Sequence, residues 1–254
     1  MSRPILWALG PVLVAASLVD ARAEPTVAVP TVETLVERVS TAWDSLNVKL
    51  TAGMTVVRPN RPDTEVELLI RRAGRGRTRI DFLSPPKDEG KVLLQIGDES
   101  WLYLPRADRF VEVLPRRNPL AGGVLFEDLF PGRPAVSGAV VEELDDGWVL
   151  VIGAPEKKKK ETSRIYFDRS TLLPFRRETY GSSGRLLKTV HIEETRKWHG
   201  VEIPWKVRFV DNLGSGIETR IEVLRADELE GDLEALFSRE RLEPSPRSET
   251  PGER

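Results

Sequence analysis

Residues 48–82 read VKLTAGMTVVRPNRPDTEVELLIRRAGRGRTRIDF, and their period of two decides the fold class. Val48, Leu50, Ala52, Met54 and Val56 alternate with Lys49, Thr51, Gly53 and Thr55. After the turn Pro59-Asn60-Arg61-Pro62-Asp63, Val66, Leu68 and Ile70 continue an apolar face opposite Glu65, Glu67 and Arg71. Gly74-Arg75-Gly76 turns the chain again, and Thr78, Ile80 and Phe82 alternate with Arg77, Arg79 and Asp81. Three strands joined by short turns predict an antiparallel meander with one face in water.

The same character extends in both directions. Upstream, Val32, Leu35, Val36, Val39, Trp43 and Leu46 fall at helical spacing, with Thr31 placed to cap an amphipathic helix. Downstream, Val92, Leu94 and Ile96 read as the next inward row. Trp101 to Leu104 and Phe110 to Leu114 follow as strands. Asn118-Pro119 then suits a helix start, and Leu120 to Phe130 reads as one short helix stopped by Pro131-Gly132. Gly122 and Gly123 weaken that helix by about 1 kcal/mol each relative to Ala. A short apolar helix inserted between strands is a candidate lid. Strands resume on either side of Asp145-Asp146-Gly147, a hairpin turn, and run with clear alternation through Val201 to Phe209 and Ile217 to Val223. About a dozen short strands with an N-terminal and an internal helix predict a mainly β chain. Its curved antiparallel sheet is expected to wrap into a barrel or half-barrel around the helices.

Arg3, the apolar run Ile5 to Val19 and Ala21-Arg22-Ala23 together read as a cleaved signal peptide over residues 1–23. The chain has no cysteine, which excludes disulfides and a lipid carried on a cysteine after cleavage. The expected location is a bacterial periplasm. Residues 24–242 are expected to form a single β domain, and the polar, Pro-containing stretch 243–254 a disordered tail. A net charge of −2 and export argue against nucleic acid as a partner.

Motifs for catalysis are scarce. His191 and His199 lack any metal-binding spacing, and an ordinary surface position is the simpler reading. No nucleophile elbow and no phosphate loop occur, and Gly74-x-Gly76 and Gly214-x-Gly216 lack a third glycine. No enzyme activity, cofactor or metal is expected. Arg71, Arg72 and Arg75 cluster at one turn and offer a rim for anionic headgroups or an acidic partner; the plain alternative is a solvated hairpin. Lys157 to Lys160 invites the same two readings.

From Trp101-Leu102-Tyr103-Leu104-Pro105 outward, the sequence resembles the outer-membrane lipoprotein-sorting protein family, relatives of the LolA and LolB carriers. Phe82-Leu83-Ser84-Pro85, Arg109, Glu127-Asp128-Leu129, Tyr166-Phe167-Asp168, Leu173-Pro174, Gly184-Arg185-Leu186-Leu187-Lys188 and Ile203-Pro204 keep that family's order. Its segment before the Glu-Asp-Leu element is more polar than Asn118 to Phe126 is here. The resemblance implies a half-open β-barrel lidded by helices, with a hydrophobic cavity for acyl chains. It also implies an inner-membrane transporter as donor, an outer-membrane acceptor and transient membrane contact.

On that basis the inward rows Met54, Val56, Leu68, Ile70, Ile80, Phe82, Leu94, Leu102 and Leu104 are the expected lipid-binding wall. Leu120, Val124, Leu125 and Leu129 are the expected lid, and Gly122-Gly123 its hinge. The expected function is carriage of lipoprotein or lipid acyl chains from inner to outer membrane. Two alternatives stand beside it: a non-catalytic accessory subunit docking on an inner-membrane exporter through the Arg-rich edge, and a hydrolase.

Overall fold

The computed structural model describes residues 28–44, 46–74, 76–113, 119–130, 134, 136–153 and 161–239, with backbone alone for 41–44 and 119. The expected leader (1–23), the expected tail (243–254), Arg75, Asn118 and the run 157–160 lie outside the described residues.

Helix α1 (Val32–Asp44) leads into the meander β1 (Asn47–Arg58), β2 (Arg61–Ala73) and β3 (Arg77–Phe82). Thr31 does cap α1, its Oγ1 accepting from the Thr34 amide at 3.2 Å. Next come β4 (Val92–Ile96), β5 (Glu99–Leu104) and β6 (Arg109–Glu112), then a small hairpin of β7 (Pro119–Ala121) and β8 (Val124–Leu125) running into α2 (Phe126–Leu129). The second half is β9 (Val140–Leu144), β10 (Gly147–Ile152), β11 (Thr162–Asp168), β12 (Pro174–Tyr180), β13 (Leu186–Trp198), β14 (Val201–Asp211) and β15 (Glu218–Glu228), followed by α3 (Leu233–Leu236).

Thirteen strands make one antiparallel sheet, ordered β6-β5-β4-β3-β2-β1-β15-β14-β13-β12-β11-β10-β9. Strands β1 and β15 therefore meet in its middle, with Ala52 opposite Val223 and Met54 opposite Ile221. The end strands β6 and β9 do not pair, so the barrel stays half open. The alternation read from 48–82 holds: Leu50 faces Ile70 and Ile70 faces Ile80, all buried on the concave side. In β4 the phase is the other one. Leu93 pairs with Ile80 and joins the concave side, while Leu94 pairs with Arg79 and faces the convex side against Phe237. Val92-Leu93-Leu94 is apolar throughout, so nothing in the run itself selects a face; the register to β3 does.

Two pieces cover the concave face. Helix α1 buries Leu35, Val36 and Val39 on Trp148, Leu150, Ile165 and Phe167 of β10 and β11. The 119–130 segment covers the other end. It is a hairpin plus a single helical turn, not the helix expected over 120–130. Gly122 at φ 56° and Gly123 at φ 80° are the reason. Two successive positive φ values turn a two-residue hairpin and are foreign to a right-handed helix.

This strap is seated at its tip and latched at its end. The Gly122 carbonyl accepts from Thr219 Oγ1, and a Cβ at Gly122 would lie 2.2 Å from that oxygen and 2.7 Å from Val56. Leu120, Val124, Phe126 and Phe130 sink into the core that holds Met54, Leu68 and Phe82. At the other end Asp128 accepts from the Leu125 amide at 2.8 Å, from Arg177 at 2.6 Å and from Lys188 at 2.5 Å. Its side chain is only 4 % exposed.

Two substitutions test the seat and one the latch. Gly122→Ala meets both the left-handed φ penalty and a steric clash, so a loss of about 3 kcal/mol is expected in urea unfolding. Gly123→Ala has open space around its Cβ and should lose only about 1 kcal/mol. Equal losses would refute the close approach. Asp128→Asn leaves Arg177 and Lys188 facing a neutral amide and should cost about 3 kcal/mol in the same measurement.

Candidate functional site

Between α1 and the strap the described residues leave part of the concave face uncovered, and a cavity of about 550 Å³ lies there. Its floor comes from the middle and second half of the sheet. Ile192 of β13 pairs with Val207 of β14, Val207 pairs with Ile221 of β15, and all three line the hollow. The same row continues to Met54, but there the strap core takes over. Ala52, Val223 and Trp205 add the next apolar level. Val39 of α1 forms one wall, and Leu129 with Phe130 of the strap forms the opposite one. Exposed Glu37, Arg38 and Gly200 also line it, which places a mouth between α1 and the β13–β14 turn.

Polar groups sit at the margins. Asp128 and Arg177 stand in the strap-side wall as the closed ion pair described above. Trp205 is 8 % exposed, and the Arg196 guanidinium lies 4.3 Å from its ring centre. A separate polar cluster occupies β11 to β13, where Tyr166 and Tyr180 both donate to one oxygen of Glu178 at 2.7 Å. That hydrogen bond pushes the Tyr180 hydroxyl up to about 12. Burial, aided by Arg208 and Arg176, holds His191 below its ordinary value. Neither histidine lines the cavity, and among the described residues no three His, Cys, Asp or Glu side chains gather as a metal site. The hollow offers a mostly apolar surface with charge at its edge, which suits holding an apolar body.

Of the nine side chains expected to form the lipid wall, Ile70 alone lines this cavity. Met54, Val56, Leu68, Ile80 and Phe82 do share the concave face, but the strap is packed on them. Leu102, opposite Leu93, and Leu104 are half-buried in β5 near the sheet edge and outside the lining. Leu94 is on the convex side. Among the expected lid residues, Leu120 and Val124 are core, Leu125 is half-buried away from the hollow, and Leu129 forms part of its wall. Gly122 and Gly123 make the strap's turn instead of a hinge within a helix.

Of the arginine cluster, Arg71 and Arg72 are engaged by the protein's own side chains. Arg72 is 6 % exposed, reaches Thr78 and lies over the Phe130 ring. Arg71 pairs at 2.5 Å with Asp81, which is itself 2 % exposed and held by Arg79. The C-terminal α3 closes over this region, with the Leu236 carbonyl accepting from Arg79. Alternation in 71–81 placed these side chains on faces, but nothing in it announced that the convex face would be roofed as well.

Known structures share the architecture. A LolA superfamily protein of Nitrosomonas europaea aligns at 18% identity and TM-score 0.68, over 84% of this chain and 100% of its own. A DUF1329 family protein of Desulfovibrio piger aligns at 18% identity and TM-score 0.66, over 82% of this chain and 96% of its own. A domain assigned to outer membrane lipoprotein sorting in Vibrio parahaemolyticus aligns at 16% identity and TM-score 0.64, over 82% and 95%. At these identities the likeness is one of fold. No curated protein matches the sequence. A family model described as "Uncharacterized protein" matches residues 74–244, more than half of the chain, and the chain belongs to that family.

Proposed function

We propose that this protein is a non-catalytic periplasmic carrier that takes acyl chains of lipoproteins or other lipids into its cavity and moves them between the inner and outer membranes. The observation that carries the proposal is the apolar hollow of about 550 Å³ on the concave face, walled by α1 and the strap and open at one mouth. A methylene moved from water to such a surface gains about 0.8 kcal/mol, so a long chain crosses an aqueous compartment only when shielded. Bilayer and cavity are both oily, so exchange between them is nearly neutral and reversible. Carriage requires that. The fold shared with LolA-superfamily structures fits this reading and the periplasmic location. The exporter-adaptor alternative has less behind it, because Arg72 is buried against Phe130 and Arg71 is half-buried in its pair with Asp81.

Two measurements test the proposal. Native mass spectrometry of protein purified from its own periplasm should find retained lipid, starting from a chain cut after Ala23. An uncut chain would remove the export step. Ile192→Trp fills the floor of the hollow without adding charge, and retained lipid should fall about tenfold while the unfolding midpoint holds. Unchanged loading would move the binding site elsewhere.

A further inference from the structure

We infer that the cavity accepts one long acyl chain at a time, so that the cargo it fits is a singly acylated amphiphile and not a lipid carrying two or three chains. This rests on the carrier reading above and narrows it. The argument is one of volume and of walls.

The hollow measures about 550 Å³. An apolar cavity of about 150 Å³ takes up one benzene, so on the same scale this one takes roughly 22 carbons. On that comparison the space matches a single long chain. A second chain of that length would need about as much again.

Neither side offers that extra room. Along the sheet row, the place next to Ile221 is Met54, which lies under the strap. Phe126 and Phe130 are 3 % and 7 % exposed there, in ring contact with each other, and occupy the site where another chain would lie. The strap is held by the Gly122–Thr219 seat at one end and by Asp128 between Arg177 and Lys188 at the other. On the opposite side, α1 has Leu35 and Val36 fully buried against β10 and β11. The mouth at Glu37, Arg38 and Gly200 lets a polar headgroup stay in water while the chain alone enters.

The test is a titration of the delipidated mature protein, read by native mass spectrometry, with four ligands. These are palmitate, a lysophospholipid with one palmitoyl chain, a dipalmitoyl phospholipid and a tripalmitoylated lipopeptide. Palmitate and the lysophospholipid are expected to bind with a stoichiometry of one. The two- and three-chain ligands are expected to bind at least about tenfold more weakly. Equal affinity for the multi-chain ligands, or saturable uptake of two palmitates, would overturn the single-chain inference and leave the carrier reading in place. No binding of any of the four would overturn both. Phe130→Ala, which enlarges the hollow at the strap wall, supplies a second arm. It should raise dipalmitoyl binding about tenfold, and an unchanged ratio between one- and two-chain ligands would also overturn the inference.

Discussion

A sheet that curls but does not close leaves its concave apolar face to be covered, and that need governs the rest of this structure. Thirteen strands present too wide a surface for one helix. The chain meets the need with two separate covers, α1 over β10 and β11 and the strap over β1 to β3. Among the described residues the cavity lies between the two covers and is walled by both. The hollow is thus a consequence of coverage. Its floor is oily because the strands that make it would otherwise be core.

The strap is packed as a wall of the cavity. Leu120, Val124, Phe126 and Phe130 are each buried to 9 % exposure or less. At about 1.5–3 kcal/mol per side chain, lifting them into water costs about 6–12 kcal/mol before the Asp128 latch is counted. That range overlaps the entire folding stability of an ordinary domain, about 5–15 kcal/mol. Displacing the strap in water is therefore close to unfolding. For the proposed carrier, entry and exit fall to the mouth between α1 and the β13–β14 turn, where Glu37, Arg38 and Gly200 are exposed.

How much of this could be read from the sequence follows from which interactions are local. Strict alternation in 48–82 and in 201–223 showed the strands and their buried faces, because period two has only two phases and charge chose between them. Where charge was missing, as in Val92-Leu93-Leu94, the phase was lost, and Leu94 was placed on the wrong side. The pairs Leu120–Val124 and Phe126–Phe130 imitate a helix, and only the two glycines argue otherwise; backbone conformation at φ 56° and 80° outweighed the side-chain pattern. The latch was out of reach entirely. Asp128 finds Arg177 at 49 residues' separation and Lys188 at 60; Asp128 and Lys188 stand in motifs of the resemblance, but nothing in those motifs pairs them. The expected cavity wall slipped for the same reason: the face was right, but which part of it a distant segment would fill was not a local property.

The convex face completes the argument, because an open sheet must also be kept from burying its wrong side. Over β13 to β15 that face carries a lattice of ions: Arg208 reaches Glu193 and Glu218, and Lys206 reaches Glu194 and Glu222. Each exposed pair contributes little to stability, about 0–1 kcal/mol. Their effect is on register, since a slip of one residue would drive this charged row into the hollow and turn Val207 and Ile221 out to water. The concave floor is apolar partly because the other face is too charged to take its place. A near-neutral exchange of oily cargo across such a floor has no direction of its own. For the proposed carrier, direction has to come from whatever loads the mouth at one membrane and empties it at the other.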